Sequence, residues 1–524
     1  MVETAELLLV LLIVVSTVVT LSRRLRVPYP VLLLVAGLAI GAIPGVPRIE
    51  LAPDVVLVLV LPPIVYVTAF LTPIRSFRAE IGNIASLAVG LVLASIAVAA
   101  GVALVLVPGM TVPIAIALGA IVSPPDEIAA TAVLERLAVP RRIVALLDGE
   151  ALLNDATALT VYRVALLTAA AAASAFTVAP AGRFVVMIVG GVAIGLVVGW
   201  AVAEIRARLS DVPVETTISL LTPYAAYVPA ELFGVSGVLA AVTAGLYIGR
   251  RSSRIMGSDV RIAGRAFWDM LVFLLNGVVF ILIGLELSAL ARDTDRATLL
   301  ALGAAGLAVS VALIAVRAAW LAGIGAWQRL VLRERHPLTA SEVAVLSWSG
   351  MRGVVSLAAA LAIPIALPSG SPVPARDAVI AITFTVILVT LAGQGLTLPL
   401  VIKAVRLGGG DDDRDAEETQ ARRELIGEAM KRIDDLYERW PGHRPLLDQL
   451  RTAYQHRADH EDQLDQAPGN EAEQELVEHR QIRRDVIDAQ REALADMRDR
   501  SAIDDDVLRK IERDLDLEEL RMEA

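Results

Sequence analysis

The stretch Gly149-Glu150-Ala151-Leu152-Leu153-Asn154-Asp155 opens a segment that runs to about Ala173 and is otherwise charged only at Arg163. That length suffices to cross a bilayer. A charge at bilayer depth costs several kcal/mol, so it persists beside a partner or in a water-filled cavity. Helical spacing puts Glu150 and Asn154 on one face, with Asp155 one step round. These residues predict a place to hold a cation inside a membrane.

The composition agrees with a membrane setting. The chain has 524 residues, 56% of them hydrophobic, and a mean hydropathy of +0.64, outside the range of soluble domains. The net charge of −10 averages two unlike parts. Asp411 to Ala524 holds 34 acidic and 19 basic residues, and the remainder holds 23 and 28. A slightly basic apolar body therefore carries a strongly acidic tail. Cysteine is absent, which excludes disulfides, thiolate chemistry and sulfur metal sites. The N-terminus lacks a basic n-region and a small-residue cleavage site, so Leu7 to Leu21 reads as a first span.

Apolar segments fall near 6–22, 29–45, 54–72, 84–107, 112–134, 150–173, 183–205, 213–230, 234–249, 267–289, 298–326, 341–366 and 377–402. That makes about thirteen spans. Basic residues follow each odd-numbered span: Arg23, Arg24 and Arg26; Arg75 and Arg78; Arg136, Arg141 and Arg142; Arg206 and Arg208. They recur from Arg250 to Arg265, at Arg329, Arg333 and Arg335, and at Lys403 and Arg406. Even-numbered exits are mixed or charge-poor, as in Arg292-Asp293-Thr294-Asp295-Arg296 and from Pro368 to Pro374. By the positive-inside rule the N-terminus lies outside and the C-terminus in the cytoplasm.

The fold class expected is all-α: a polytopic membrane protein of about thirteen helices in two inverted repeats, joined by a linking helix, plus a helical cytoplasmic tail. The fifth and twelfth spans then correspond. Both carry helix-disrupting sequence, Ser123-Pro124-Pro125-Asp126 and Ser349-Gly350-Met351-Arg352-Gly353, so both are expected to unwind near the bilayer centre. Gly408-Gly409-Gly410 before Asp411-Asp412-Asp413 marks a solvated boundary. In the tail, Leu425, Met430, Ile433 and Leu436 stripe a helix, with interruptions at Pro441 and near Pro468-Gly469.

The Glu150–Asp155 string resembles the signature helix of the monovalent cation:proton antiporter-1 family, the sodium/proton antiporters related to the sodium–hydrogen exchangers. Ser123-Pro124-Pro125-Asp126, Ser236-Gly237-Val238-Leu239-Ala240 with Gly245, and Gly350-Met351-Arg352-Gly353-Val354-Val355-Ser356 resemble its other membrane motifs, in family order. The resemblance covers roughly residues 6–405 and looks most like the bacterial branch. It implies a transmembrane antiporter domain over 1–407, with 408–524 a regulatory tail.

Asp155 is the foremost candidate, because a carboxyl group in a wet cavity holds a proton or a dehydrated cation but not both. Asp126, with carbonyls freed by Pro124 and Pro125, would complete an oxygen shell as a second ligand of the monovalent cation. Ser123 belongs to the same break. The family usually has proline after this aspartate, where Glu127 stands here. Asn154 replaces the second aspartate of electrogenic relatives, which implies electroneutral exchange. Ala151 stands where relatives often place serine, so Thr157 or a water would take over that contact. The resemblance also implies a buried structural pair between Glu150 and Arg352. Arg317 needs a partner too, and Glu150 is a candidate for it. Glu231, Asp269 and Glu286 lie near segment ends and read as solvated, with Glu231 the one candidate for an access funnel.

His443, His456, His460 and His479 are in the tail and His336 is outside it. They read as incidental on a solvated acidic helix, with a pH sensor as the alternative. The function expected is antiport of sodium or potassium, with lithium as a further candidate, against protons across the cell membrane, for pH and cation homeostasis. No cofactor and no nucleic-acid partner is expected, and relatives imply a homodimer. A cation channel or uniporter would need a filter sequence that is not seen. A membrane-anchored sensor would need output motifs after Gly410, and a hydrolase would need a nucleophile or metal ligands.

Overall fold

Proline and glycine decide where the apolar segments stop being helical. The computed structural model describes residues 2–25, 28–43, 56–72, 74–126, 130, 134, 137, 139–170, 179–333, 337–366, 371–407, 412–466, 470–500, 508, 511 and 515–519. Glu127, His336, Gly408 to Gly410, Pro468, Gly469, and Arg26, Arg136 and Arg335 of the basic clusters lie outside the described residues, as do the side chains of His460 and His479.

Among the described residues the fold is helical throughout, with one isolated bridge between Ala366 and Pro372. The chain begins with α1 (Val2–Leu25), α2 (Tyr29–Gly41), α3 (Leu61–Leu71) and the short α4 (Ile74–Ala79). It continues through α5 (Ile81–Leu106), α6 (Val112–Val122), α7 (Arg141–Ala170), α8 (Ala179–Arg206), α9 (Val212–Leu232) and α10 (Gly237–Ile255). The long α11 (Ser258–Asp293) and α12 (Arg296–Leu332) follow, then α13 (Ala340–Trp348), α14 (Val354–Leu361) and α15 (Arg376–Ala404).

Local sequence starts these helices. The side chains of Asp211, Ser236 and Asp295 accept from the backbone N–H three residues on, at 3.0, 3.3 and 3.0 Å. Such caps satisfy donors that have no intrahelical partner. The Thr298 amide bonded to Asp295 holds that exposed carboxyl below its usual range. At α13, Thr339 and Glu342 form a capping box.

Among the described residues, five helical stretches are by themselves long and apolar enough to cross a bilayer: Ile81–Leu106, Phe184–Arg206, Ser258–Ala289, Arg296–Leu332 and Arg376–Ala404. Shorter apolar helices run over Leu11–Ser22, Tyr29–Gly41, Val58–Leu71 and Val112–Val122. Among the segments that fall short are those interrupted for the site. Helix α7 carries Asp148, Glu150, Asp155 and Arg163, α6 stops at the Pro124-Pro125 pair, and α13 and α14 are separated by Gly350 and Gly353. Many large apolar side chains face outward, among them Val105, Val197, Trp200, Leu300 and Leu400. A bilayer would cover such a surface.

Up to Gly410 the helices pack into two groups. One holds α1–α3 and α8–α11, where α2 lies along α11 and α10 is wedged between α3 and α8. The other holds α5–α7 and α12–α15, where α6 lies between α5 and α7 and α12 rests on α15. Contacts between the groups are sparser and run mainly through α7, α11 and α14.

Close approach inside the first group depends on missing side chains. A Cβ on Gly37 would lie 2.1 Å from the Ile281 carbonyl oxygen, and one on Gly284 would lie 2.3 Å from that of Leu34. Small residues let membrane helices meet backbone to backbone.

Asp411–Ala524 form a separate compact unit. Helices α16 (Asp412–Arg439), α17 (Arg444–Gln466) and α18 (Asn470–Asp499) are amphipathic, and a 3-10 turn at Pro441–His443 separates the first two. Ile433 and Leu447 are buried between them, and Arg451 donates to Asp434 at 2.6 Å. Leu425, expected on the same stripe as Ile433, is 70% exposed. The Trp440 and His443 rings meet edge to face.

Gly284→Val should lower the melting temperature of the purified chain and reduce the folded yield, by overpacking that costs roughly 1–3 kcal/mol. Gly303→Ala should leave both unchanged, since nothing lies within 4 Å of its added Cβ. Equal melting of the two variants would refute the backbone contact between α2 and α11.

Candidate functional site

Two helix breaks face each other across the second group. Proline at 124 and 125 ends α6, and the chain from Ser123 to Asp126 is non-helical. Gly350 and Gly353 flank the second break, between α13 and α14. The breaks are joined by a hydrogen bond from the Asp126 amide to the Met351 carbonyl at 2.6 Å.

The carbonyls left open at these helix ends need donors, and Arg352 supplies them. Its Nε donates to Val122 at 2.9 Å, its Nη2 to Ser123 at 3.3 Å, and its Nη1 to Gly350. Its own backbone N–H donates to the Thr390 hydroxyl at 3.1 Å. A guanidinium at the C-terminus of α6 also opposes the negative end of that helix dipole. The reverse holds at the start of α14. A Cβ on Gly353 would overlap the Asp126 carboxylate, 1.5 Å from Oδ2. The carboxylate therefore lies against the N-terminal end of α14, where the dipole favours an anion.

The expected Glu150–Arg352 pair is not formed. Glu150 binds Arg317 of α12 instead, through two hydrogen bonds of 2.5 and 2.7 Å, and Arg317 Nε donates to the Leu346 carbonyl at 2.8 Å. All three side chains, Glu150, Arg317 and Arg352, are at most 2% exposed. The physical reason lies in the break. Arg352 sits among unpaired carbonyls that take its donors, so Glu150 is left to the helix-borne Arg317. Gly350 lies between the two guanidinium groups, where a Cβ would stand 2.7 Å from Arg317 Cδ and 3.1 Å from Arg352 Nη1.

Asp155 and Asp126 line one small cavity of about 50 Å³. Pro124, Pro125, Gly353 and Ser356 contribute from the same helix group, and Thr68 of α3 and Asn276 of α11 from the other. The cavity thus lies in the seam between the groups. By volume it holds roughly three to five water-sized bodies. A cation inside it would exchange most of its hydration shell for protein oxygens. Two carboxylates confined there repel each other, and either a proton or a cation relieves that repulsion.

Asn154 is fully buried beside the cavity and donates from Nδ2 to the Pro125 carbonyl at 3.2 Å, tying α7 to the first break. Its Oδ1 has no hydrogen-bond partner among the described residues. Ser123 is not among the cavity-lining residues; its carbonyl is spent on Arg352, and its hydroxyl lies 3.5 Å from the Ala120 oxygen. Thr157 does not line the cavity either, because its hydroxyl donates to Leu153 one turn back at 2.9 Å. Ser356 stands on the cavity wall where the Ala151 position lacks a hydroxyl. Glu231 is half-buried and accepts from Arg163 of α7 at 2.8 Å and from the Gly237 N–H at 3.1 Å, so it bridges the two groups. Asp269 is exposed, 4.0 Å from Arg265.

Sequence reasoning missed Asn276. It is 0% exposed, and among the described residues neither amide atom has a hydrogen-bond partner. Burying an amide without partners costs roughly 1–3 kcal/mol, and such groups are few in native structures. The signal was present, since Asn276 is the one polar side chain between Asp269 and Glu286.

Arg317→Met should destabilise the purified chain by roughly 3–5 kcal/mol, because it strands the buried Glu150 carboxylate. Adding Glu150→Gln should return part of the lost melting temperature. A single variant that melts like the native chain would refute the clamp.

The geometry can be set beside known proteins. The profile of the transmembrane sodium/hydrogen exchanger family matches residues 9–404. An uncharacterised Na⁺/H⁺ exchanger of Mycobacterium tuberculosis is 36% identical over 98% of this chain and 95% of its own length. A sodium, potassium, lithium and rubidium/H⁺ antiporter of Bacillus pumilus is 30% identical over 81% of this chain and 65% of its own. The sodium proton antiporter MjNhaP1 of Methanocaldococcus jannaschii shares the fold, with a TM-score of 0.62 at 21% identity, over 78% of this chain and 99% of that one. With the broken helices and the paired carboxylates in view, the chain belongs to the sodium/hydrogen exchanger family of membrane proteins.

Proposed function

We propose that the chain exchanges one monovalent cation for one proton across the cell membrane by alternating access, as a secondary transporter and not an enzyme. The observation that carries this reading is the placement of Asp155 and Asp126 in one cavity at the seam between two helix groups. A site at a seam opens to either side as one group moves against the other. Competition of proton and cation for the carboxylates couples the two fluxes. The neutral Asn154 leaves Asp155 as the one acid of the signature pair, which favours electroneutral exchange.

In this reading the membrane domain crosses thirteen times in two inverted halves, with the broken α13–α14 counted as one crossing. The N-terminus lies outside and the acidic tail in the cytoplasm, as the arginine alternation favours. The chain works as a homodimer through the α1–α3 and α8–α11 group. Sodium and potassium are the cations proposed, with lithium after them, in keeping with the ions named for the Bacillus antiporter. The role is pH and cation homeostasis.

Inside-out vesicles from cells lacking their own antiporters provide the test. Sodium or potassium added to vesicles with a preformed pH gradient should release protons with the native chain and not with Asp155→Asn. Proton release that survives Asp155→Asn would remove this carboxylate from the mechanism. Asn276→Leu should raise the cation concentration for half-maximal exchange about tenfold, the loss of roughly one hydrogen bond to a charged group. An unchanged value would mean that Asn276 does not face the ion. Truncation after Leu407 should retain exchange and shift its pH profile; an identical profile would deny the tail a regulatory role.

A further inference from the structure

A second cavity, of about 450 Å³, lies where five helix ends meet and shares no lining residue with the Asp155 cavity. Its walls come from the last residues of α3, α8 and α10 and the first turns of α9 and α11. Four arginines line it, Arg206, Arg250, Arg261 and Arg265, and no carboxylate does among the described residues.

Arg206 forms the base. It is 2% exposed, and among the described residues neither its Nε nor its Nη1 has a hydrogen-bond partner. Its charge is balanced by the buried Glu215, but at 3.5 Å the pair is an ionic contact without a hydrogen bond. A buried guanidinium with unspent donors calls for an acceptor. The other three arginines carry the excess charge at the exposed rim. Arg261 spends Nη1 on the Met256 carbonyl at 2.6 Å, and Arg265 stands 4.0 Å from Asp269. Phe70, Met256, Val260 and Trp268 make the remaining wall largely apolar.

We propose that this cavity binds a phosphate-bearing anion, either the headgroup of an anionic glycerophospholipid or a free phosphate ester. Guanidinium groups present planar forks that match phosphate oxygens in pairs. The volume suits a small-molecule ligand and exceeds what a single ion needs. The apolar wall accepts an organic substituent beside the phosphate. The position, where apolar helices end in arginine, is that of lipid headgroups at the membrane surface.

The test uses the full chain purified in detergent, with thermal denaturation as the readout, so it does not depend on transport. Phosphatidylglycerol, phosphatidylcholine and inorganic phosphate would be titrated separately, the last against chloride at equal ionic strength. Phosphatidylglycerol should raise the melting temperature saturably and phosphatidylcholine should not. The variant with Arg250→Ala, Arg261→Ala and Arg265→Ala should need at least ten times more lipid for half the shift. Arg265→Gln alone, at an exposed position, should weaken it a few-fold and guards against loss of folding in the triple variant. A saturable shift with inorganic phosphate and not with lipid upholds the site and assigns it a soluble ester. No shift with either anion, or an equal shift in native and variant chains, would overturn the proposal.

Discussion

Inside a bilayer a peptide group without a partner costs several kcal/mol, and a helix that stops halfway leaves several such groups open. Everything at the centre of this protein depends on how that cost is met. Arg352 meets it by donating to Val122, Ser123 and Gly350, the carbonyls that the breaks expose. The Asp126 amide adds a backbone bond from one break to the other. With the carbonyls held by a cation, the Asp126 carboxylate can lie against the start of α14 and face the cavity. The breaks therefore hold a pair of oppositely charged side chains in place.

A second buried arginine makes this division of labour possible. Glu150 and Arg317 neutralise each other through a bidentate contact, one helix step from the residues that face the cavity. Arg317 also holds the end of α13 through the Leu346 carbonyl. Arg352 is thereby released from pairing with Glu150. Asp155, five residues along α7 from Glu150 and on a different face, lines the cavity.

The cavity is assembled from both helix groups. Asp126, Asp155 and Ser356 come from one, and Thr68 and Asn276 from the other. The Arg163–Glu231 contact spans the same seam at a more exposed level. A polar cavity on a seam is weakly held by apolar packing. Backbone contacts such as Gly37 against α11 lie within one group.

The sequence by itself determined the apolar, all-helical body, the acidic tail, the two breaks at Pro124-Pro125 and Gly350–Gly353, and Asp155 and Asp126 as foremost candidates. Each of these rests on local chemistry: hydropathy, proline's missing donor, and the cost of a lone carboxylate in an apolar run. Only the tertiary structure decided the partners. It gave Glu150 to Arg317 and turned Arg352 toward carbonyls. It spent the Thr157 hydroxyl within its own helix, put Ser356 on the cavity wall, and brought Asn276 from a distant helix. Local preference follows from a residue and its near neighbours, whereas partner choice depends on which of several buried groups the packing of remote helices brings within about 3 Å.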